Sequence, residues 1–141
     1  MNGHMNMQHY LAVHEAASSA AFDALGFGQS YIDARNRSFF DLEHHLRYLQ
    51  EVMIGDELTA HVRLLDRSNK VVHHLGYILN QSTREVAKLL ETISACVDLD
   101  TRRVTPFLPS EATWIDEAMR VSEALGWRTS GGGVMSAHRP T

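Results

Sequence analysis

The fold is decided by the stretch NGHMNMQHYL, residues 2–11, which opens a segment rich in alanine and serine. Gly3 permits a tight turn, and the side-chain oxygen of Asn6 can cap the first N–H groups of a helix. Gly26 suits a left-handed helix end, so the sequence predicts one thin helix over residues 6–25, which a sheet can approach closely. Its predicted buried stripe consists of residues at helical spacing, namely Leu11, Ser18, Phe22 and Leu25.

Length, composition and charge indicate one globular domain. The chain has 141 residues, of which 44% are hydrophobic and 21% charged, as in ordinary soluble domains. The net charge of −4 argues against nucleic-acid binding, which needs a basic face. The single cysteine, Cys96, is typical of a reducing compartment. Because the sequence also has no membrane-spanning apolar run and no signal-like N-terminus, the predicted location is the cytoplasm, with no membrane partner.

Four segments after the helix have the alternating pattern of strands, at residues 39–49, 58–65, 71–79 and 86–99. Short polar segments between the last three predict hairpins. In the first strand, the face predicted to lie against the helix carries Phe40, Leu42, His44, Leu46 and Tyr48. The opposite face carries Asp41, Glu43, His45 and Arg47. The sequence therefore predicts an α+β fold, in which an antiparallel sheet packs on one long helix.

A second helix and a tail are predicted after the sheet. Pro106 and Pro109 break the chain, and Ser110 can cap a helix that reaches Ala124. Residues 130–141 include three successive glycines and are predicted to be flexible and to contribute no core. The predicted organisation is one domain over residues 1–128 and a flexible tail over 129–141.

The order and spacing of five motifs between residues 2 and 109 resemble a known family. The motifs are Gly3-His4-Met5-Asn6 with Tyr10-Leu11, Glu43-His44-His45-Leu46-Arg47-Tyr48, Gly55-Asp56-Glu57-Leu58, His74-Leu75 and Cys96-Val97-Asp98-Leu99. Together they resemble the hot-dog-fold acyl-CoA thioesterases of the 4-hydroxybenzoyl-CoA thioesterase type, including the betainyl-CoA thioesterase-like subgroup. The resemblance implies a sheet wrapped around the helix and a homodimer or homotetramer. It also implies hydrolysis of an acyl-CoA thioester at the dimer interface, with no dissociable cofactor.

One family feature falls outside this sequence. Members carry an aspartate three residues before the motif glycine, on or just after a first strand, and that position precedes residue 1. The first strand is therefore expected to be missing from this chain. Either the chain start was set late, or the protein lacks both strand and acid. The second alternative favours a rival function, a non-catalytic hot-dog module that binds an acyl-thioester. A dehydratase of the same fold is disfavoured, because its helix-borne signature is not found.

Thioester hydrolysis needs donors for the developing oxyanion and a group that activates water. The helix start supplies free N–H groups and the positive end of the helix dipole. The predicted substrate-binding residues are Gly3, His4, Met5, Asn6, Tyr10 and Tyr48. The predicted catalytic residues are Glu43 and His45, which share one strand face, and Asn2, which could orient a water. The alternative for Glu43 and His45 is a surface ion pair with Arg47 or Arg63.

The remaining polar residues have simpler interpretations. The histidine spacing matches no zinc motif, so no metal is predicted. His44 and His74 are predicted to be buried, hydrogen-bonded neighbours, and Cys96 to be a core residue. Glu15 is a second acid-base candidate but fits a solvated helix position. Several basic side chains near strand ends could meet coenzyme A phosphates or could be solvated edge charges, namely Arg63, Arg67, Arg84 and Lys88.

Overall fold

Residues 3–126 and 135–138, the part of the chain that the computed structural model describes, form three α-helices and a five-stranded sheet. The helices are α1 (Met7–Phe22), α2 (Gln29–Arg35) and α3 (Pro109–Ala124). The strands are β1 (Arg37–Tyr48), β2 (Leu58–Arg67), β3 (Val71–Asn80), β4 (Glu85–Asp98) and β5 (Arg103–Val104). A π-helical turn, Asp23–Phe27, continues α1 towards α2. The predicted α+β class is confirmed, and each predicted strand lies within two residues of its observed bounds.

The sheet is antiparallel, with the strand order β1-β4-β3-β2 and with β5 paired to the end of β4. The predicted hairpins β2–β3 and β3–β4 are confirmed. The lead-in strand β1 pairs with β4, so the sheet brings together strands that are distant in sequence. Helix α1 packs on one face of the sheet against β2 and β3, as the thin-helix pattern predicts. None of the described helices is both long and apolar enough to cross a membrane.

The close approach of α1 to the sheet depends on Gly76 in β3. A Cβ at this position would lie 2.7 Å from Nδ1 of His14, so any side chain here would force the His14 ring or the helix that carries it to move. The buried residues of α1 are Tyr10 and His14, whereas Leu11 is exposed. The predicted stripe is therefore wrong at Leu11, because the sheet covers the side of the helix on which Tyr10 and His14 lie.

A bulge in β1 changes the predicted division of its faces. The register with β4 shifts between Asp41 and Glu43, which leaves Leu42 as the extra residue. Phe39 packs with the aromatic core on the α1 side, and Asp41 accepts a hydrogen bond from Ser94 on that same side. The assignment of Asp41 to the opposite face is therefore wrong, because an inserted residue reverses the alternation of side chains.

A buried ion pair fixes α3 on the sheet. The guanidinium of Arg37 in β1 lies 2.9 Å from the Glu111 carboxylate, and the Tyr31 hydroxyl donates to the same carboxylate over 2.8 Å. Glu111 also accepts the backbone N–H of Leu108, which is the N-cap residue of α3. The prediction of Ser110 as N-cap is therefore wrong, because Pro109 occupies the first helical position.

The C-terminal segment contributes to the core, contrary to the sequence prediction. Met135 and Ala137 are buried against Val71, Ile93 and Ala95. These three residues lie on the sheet face opposite α1, where they would otherwise form an apolar patch. Apolar side chains two residues apart can cover such a patch without regular secondary structure, so composition alone misjudged this part of the tail.

Candidate functional site

A cavity of about 500 Å³, which we call the α1 cavity, opens at the N-terminus of α1. Five of the six predicted substrate-binding residues line it, namely His4, Met5, Asn6, Tyr10 and Tyr48. The sixth, Gly3, lies outside the lining but has a φ of +72°, in the region that favours glycine. The structure therefore brings the predicted binding residues together at the helix start, and it adds Glu51 and Gln50 to them.

Residues 3–5 are held beside the segment after β1 by a short antiparallel bridge. The Met5 N–H donates to the Val52 carbonyl over 2.9 Å, and the Ile54 N–H donates to the Gly3 carbonyl over 3.1 Å. Asp56 anchors this segment, because its carboxylate accepts the Met53 N–H over 2.8 Å. The bridge places the entry to α1 directly beside Glu51.

Glu51 and His4 contact each other at the cavity. Nδ1 of His4 lies 3.3 Å from a carboxylate oxygen of Glu51, and both side chains remain accessible to solvent. A carboxylate beside an imidazole can accept a proton from water while the ring orients it. The sequence analysis did not identify Glu51, because this residue lies after the predicted strand and belongs to none of the recognised motifs. Its position three residues after Tyr48, the last residue of the second motif, and just before the Gly55 turn was the available signal.

The first turn of α1 keeps its backbone donors available at this cavity. Asn6 occupies the N-cap position with extended backbone, as predicted, but its side chain makes no capping hydrogen bond within the described residues. The N–H groups of Met7 and Gln8 have no carbonyl acceptor within the helix, because the first helical carbonyl, that of Asn6, accepts the N–H of His9, so they can bind a partly negative oxygen. The positive end of the helix dipole favours the same charge.

The structure does not bring Glu43 and His45 to this cavity within one protomer. Their β4 partners are Ile93 and Glu91, and these positions lie on the sheet face opposite α1. Among the described residues, Nδ1 of His45 has no hydrogen-bond partner. A role for either residue would require a second subunit and stays a prediction. Asn2 lies outside the described residues.

A second polar cluster lies under the other end of α1. Ser94 donates to Asp41 over 2.6 Å and accepts from His74 over 3.0 Å, while His44 contacts the other Asp41 oxygen at 3.0 Å. Asp41, His74 and Ser94 line a cavity of about 680 Å³, together with Glu15. The two histidines are not direct neighbours, because β4 separates their strands, and His44 is partly exposed. The prediction of buried, hydrogen-bonded neighbours is therefore confirmed for the burial and hydrogen bonding of His74, and it is wrong for the burial of His44 and for adjacent strands.

Acid is expected to destabilise the fold through two buried histidines. Burial lowers the pKa of His14 and His74 to about 4, and for His14 the nearby Lys88 ammonium acts in the same direction. The unfolded chain, with histidine near its ordinary pKa of 6.5, therefore binds these protons more readily. The contribution of each histidine is intact above pH 6.5 and is lost as pH falls through 4, by up to about 3 kcal/mol.

Urea unfolding at pH 7 and pH 5 measures this loss. The double variant His14→Gln with His74→Gln is expected to show a smaller fall in unfolding free energy between the two pH values. The exposed His9 provides the control, because His9→Gln should keep the wild-type pH dependence. An equal fall in the wild type and the double variant would assign the acid sensitivity to other groups.

The other polar residues singled out in the sequence are mostly buried or paired within the fold. Cys96 is fully buried, which raises the pKa of its thiol, and it accepts a contact from Arg37 at 3.2 Å. Arg67 pairs with Asp116 at 2.6 Å, and Lys88 is buried, so neither is a solvated edge charge. Among the described residues, no three His, Cys, Asp or Glu side chains are placed to hold a metal ion.

The sequence matches the profile of the thioesterase-like superfamily over residues 1–118. It is 33% identical over 108 residues to a betainyl-CoA thioesterase from Pseudomonas aeruginosa, a match that covers 75% of this chain and 67% of that protein. It is also 28% identical over 105 residues to an L-carnitine dehydrogenase/betainyl-CoA thioesterase from Rhizobium meliloti. That match covers 74% of this chain but only 21% of the relative.

Solved structures share the fold. A hypothetical protein from Staphylococcus aureus, solved in complex with CoA, superposes with a TM-score of 0.81 at 22% identity, covering 92% of this chain and 85% of that one. A 1,4-dihydroxy-2-naphthoyl-CoA thioesterase from Synechocystis superposes with a TM-score of 0.70 at 15% identity, covering 82% and 85%. These similarities confirm the predicted hot-dog architecture.

Proposed function

This chain belongs to the thioesterase-like superfamily of thioester hydrolases, and we propose on that basis that it hydrolyses an acyl-CoA to a free acid and coenzyme A in the α1 cavity. The observation that carries the proposal is the meeting of Glu51 and His4, 3.3 Å apart, with the free N-terminal turn of α1 in one cavity. This combination supplies both requirements of the reaction, a base and oxyanion donors.

Glu51 acts as the general base in the proposed mechanism. Its carboxylate takes a proton from water as the water oxygen bonds to the thioester carbon. His4 holds the carboxylate in position from 3.3 Å. The carbon–sulfur bond then breaks, coenzyme A leaves as a thiolate, and the proton held by Glu51 neutralises it. The carboxylate is thereby regenerated, and no external oxidant or reductant takes part.

The first turn of α1 stabilises the negative charge that develops on the carbonyl oxygen. The backbone N–H groups of Met7 and Gln8 are fixed by the helix, so they need no rearrangement during the reaction. Gly3 and the bridge of residues 3–5 to 52–54 hold this turn beside Glu51. The acyl group then extends along the cavity towards Tyr10, one helical turn after Asn6, and Tyr48, the last residue of β1.

The free edge of β1 supports assembly into a homodimer, with a tetramer as its extension. In the described chain β1 pairs only with β4, so its other edge offers unpaired backbone groups. Five apolar residues on or just after β1 are exposed, namely Phe40, Leu42, Leu46, Tyr48 and Leu49. Pairing of two β1 edges would cover them, and it could bring Glu43 and His45 of one subunit towards a site of the other. Light scattering of the purified protein measures this assembly state.

Thiol release from a panel of acyl-CoAs, followed with a thiol reagent, tests the proposed hydrolysis. We expect turnover with at least one short acyl-CoA and none with the corresponding oxygen ester of similar size. Absence of turnover together with measurable binding of acyl-CoA would favour the rival function, a non-catalytic module. The unpaired cysteine supports a reducing cytoplasmic setting for this assay and for the protein.

Glu43→Gln separates the two candidate bases. We expect this variant to keep kcat within about threefold of wild type, because Glu43 lies on the sheet face opposite the α1 cavity, where it gives no general-base assistance. The measurement is the rate of thiol release at saturating substrate. A loss comparable to that of a Glu51 variant would instead assign proton transfer to Glu43 of a neighbouring subunit.

A further inference from the structure

Lys88 of β4 is buried without a hydrogen-bond or ion-pair partner for its ammonium group among the described residues. Its exposed fraction is 0%, and Nζ makes no hydrogen bond there. Nζ lies instead 4.7 Å from the ring centre of Tyr48 and 5.3 Å from that of Tyr10. The two rings meet edge to face, with their centres 5.5 Å apart. We refer to these three residues as the lysine–tyrosine cluster.

The lysine–tyrosine cluster lies where the acyl group of the proposed substrate ends. Tyr10 and Tyr48 line the α1 cavity together with His4 and Glu51, whereas Lys88 lies behind the two rings and is not among the lining residues. Tyr48 is the direct β-sheet partner of Lys88, and Tyr10 lies one helical turn beyond Asn6 on α1. In the proposed function the thioester carbonyl lies at the first turn of α1, and the far end of the acyl group then lies against these rings.

Two tyrosine faces at an angle are a general arrangement for binding quaternary ammonium groups. In this chain the cation between them is the protein's own lysine. A second cation in the same place would lose the aromatic contact and would meet a like charge in a poorly solvated environment. A carboxylate against the rings would instead be attracted to the Lys88 ammonium behind them, which has no hydrogen-bond partner among the described residues.

We propose that Lys88 is a specificity-determining residue that occupies the aromatic box and directs the enzyme towards acyl groups ending in a carboxylate, and away from those ending in a trimethylammonium. The inference rests on the proposed function for the location of the acyl group. It separates this chain from the substrate named for its Pseudomonas aeruginosa relative, although the two sequences are 33% identical.

The ratio of kcat/KM for succinyl-CoA to that for betainyl-CoA tests the proposal. We expect wild type to favour succinyl-CoA by at least about tenfold, the size of a modest ionic discrimination. Lys88→Met keeps the length of the side chain and removes the charge, so it should lower this ratio at least about tenfold. Lys70→Met is the matched control, because Lys70 is the other lysine of the chain and lies in the β2–β3 turn. It should leave the ratio unchanged.

A binding measurement tests the role of Lys88 independently of the proposed hydrolysis. Calorimetric titration with two non-hydrolysable CoA thioethers, one ending in a carboxylate and one in a trimethylammonium, reports the same preference without turnover. If no acyl-CoA is hydrolysed but wild type still prefers the carboxylate analogue and Lys88→Met loses that preference, the proposed function fails and the role of Lys88 stands. If wild type binds the trimethylammonium analogue at least as tightly, or if a folded Lys88→Met keeps the wild-type ratio, the inference is overturned. The relative affinity of wild type for the two analogues tests the predicted preference even if the variant does not fold.

Discussion

Replacing Glu51 by glutamine is expected to lower kcat for thiol release by about 10³-fold, the scale of general-base catalysis. An amide oxygen cannot accept a proton from water, whereas the size of the side chain and its place beside His4 are preserved. The Glu51 side chain is 62% exposed, so the fold should not depend on its charge. Single-turnover thiol release with saturating acyl-CoA measures the effect, and KM should change little because the cavity keeps its shape.

A matched control for this variant is Glu57→Gln. Glu57 is an exposed carboxylate in the turn before β2, outside the residues that line the α1 cavity, so its loss should leave kcat unchanged. Circular dichroism of both variants confirms that the fold is retained. A Glu51→Gln variant that keeps more than about a tenth of the wild-type kcat would exclude Glu51 as the base.

Glu111→Ala is expected to destabilise the fold by about 3–5 kcal/mol. The change removes the only carboxylate that contacts the guanidinium of Arg37 in the described chain, at 2.9 Å, and leaves a charge almost entirely buried. It also removes the acceptor of the Tyr31 hydroxyl and of the Leu108 N–H. Urea unfolding at pH 7 measures the loss, and the midpoint should fall while the slope stays close to that of wild type.

The exposed ion pair of α3 provides the comparison for that measurement. Glu117 contacts Arg120 at 2.6 Å, but both side chains are more than half exposed to solvent. Glu117→Ala should therefore leave the unfolding midpoint within experimental error. Equal effects of the two substitutions would contradict the view that burial, and not the presence of an ion pair, determines the cost.

The regular elements could be predicted because their signals are local. Alternation of side chains located β1 to β4, and glycine turns and capping residues located α1 and most of α3. Helix α2 was not predicted, because it has only seven residues and follows two glycines, Gly26 and Gly28, which are typical of a loop. Asn36 ends this helix in the left-handed conformation, with a φ of +52°. Asparagine is common at helix ends, but it is equally common in loops, so it did not distinguish the two here.

The candidate site was predictable only where it is contiguous in sequence. His4, Met5 and Asn6 lie in one motif, and the helix start that follows them is a local feature. Glu51 joins them through the bridge between residues 3–5 and 52–54, which closes a loop of nearly fifty residues. A contact between such distant segments has no local sequence pattern. The predicted base was therefore Glu43, which shares a strand face with His45.

The sequence by itself determined the fold class, the family and the position of the helix start at which we propose the site, since each depends on motif order and on the periodicity of neighbouring residues. Only the tertiary structure decided which acid faces that helix start, which side of β1 Asp41 occupies after the bulge, and that Lys88 lies over two tyrosine rings. The physical reason is that strand register and helix docking are set by packing between distant segments. The free energy of that packing depends on both segments together and cannot be inferred from the sequence of either one.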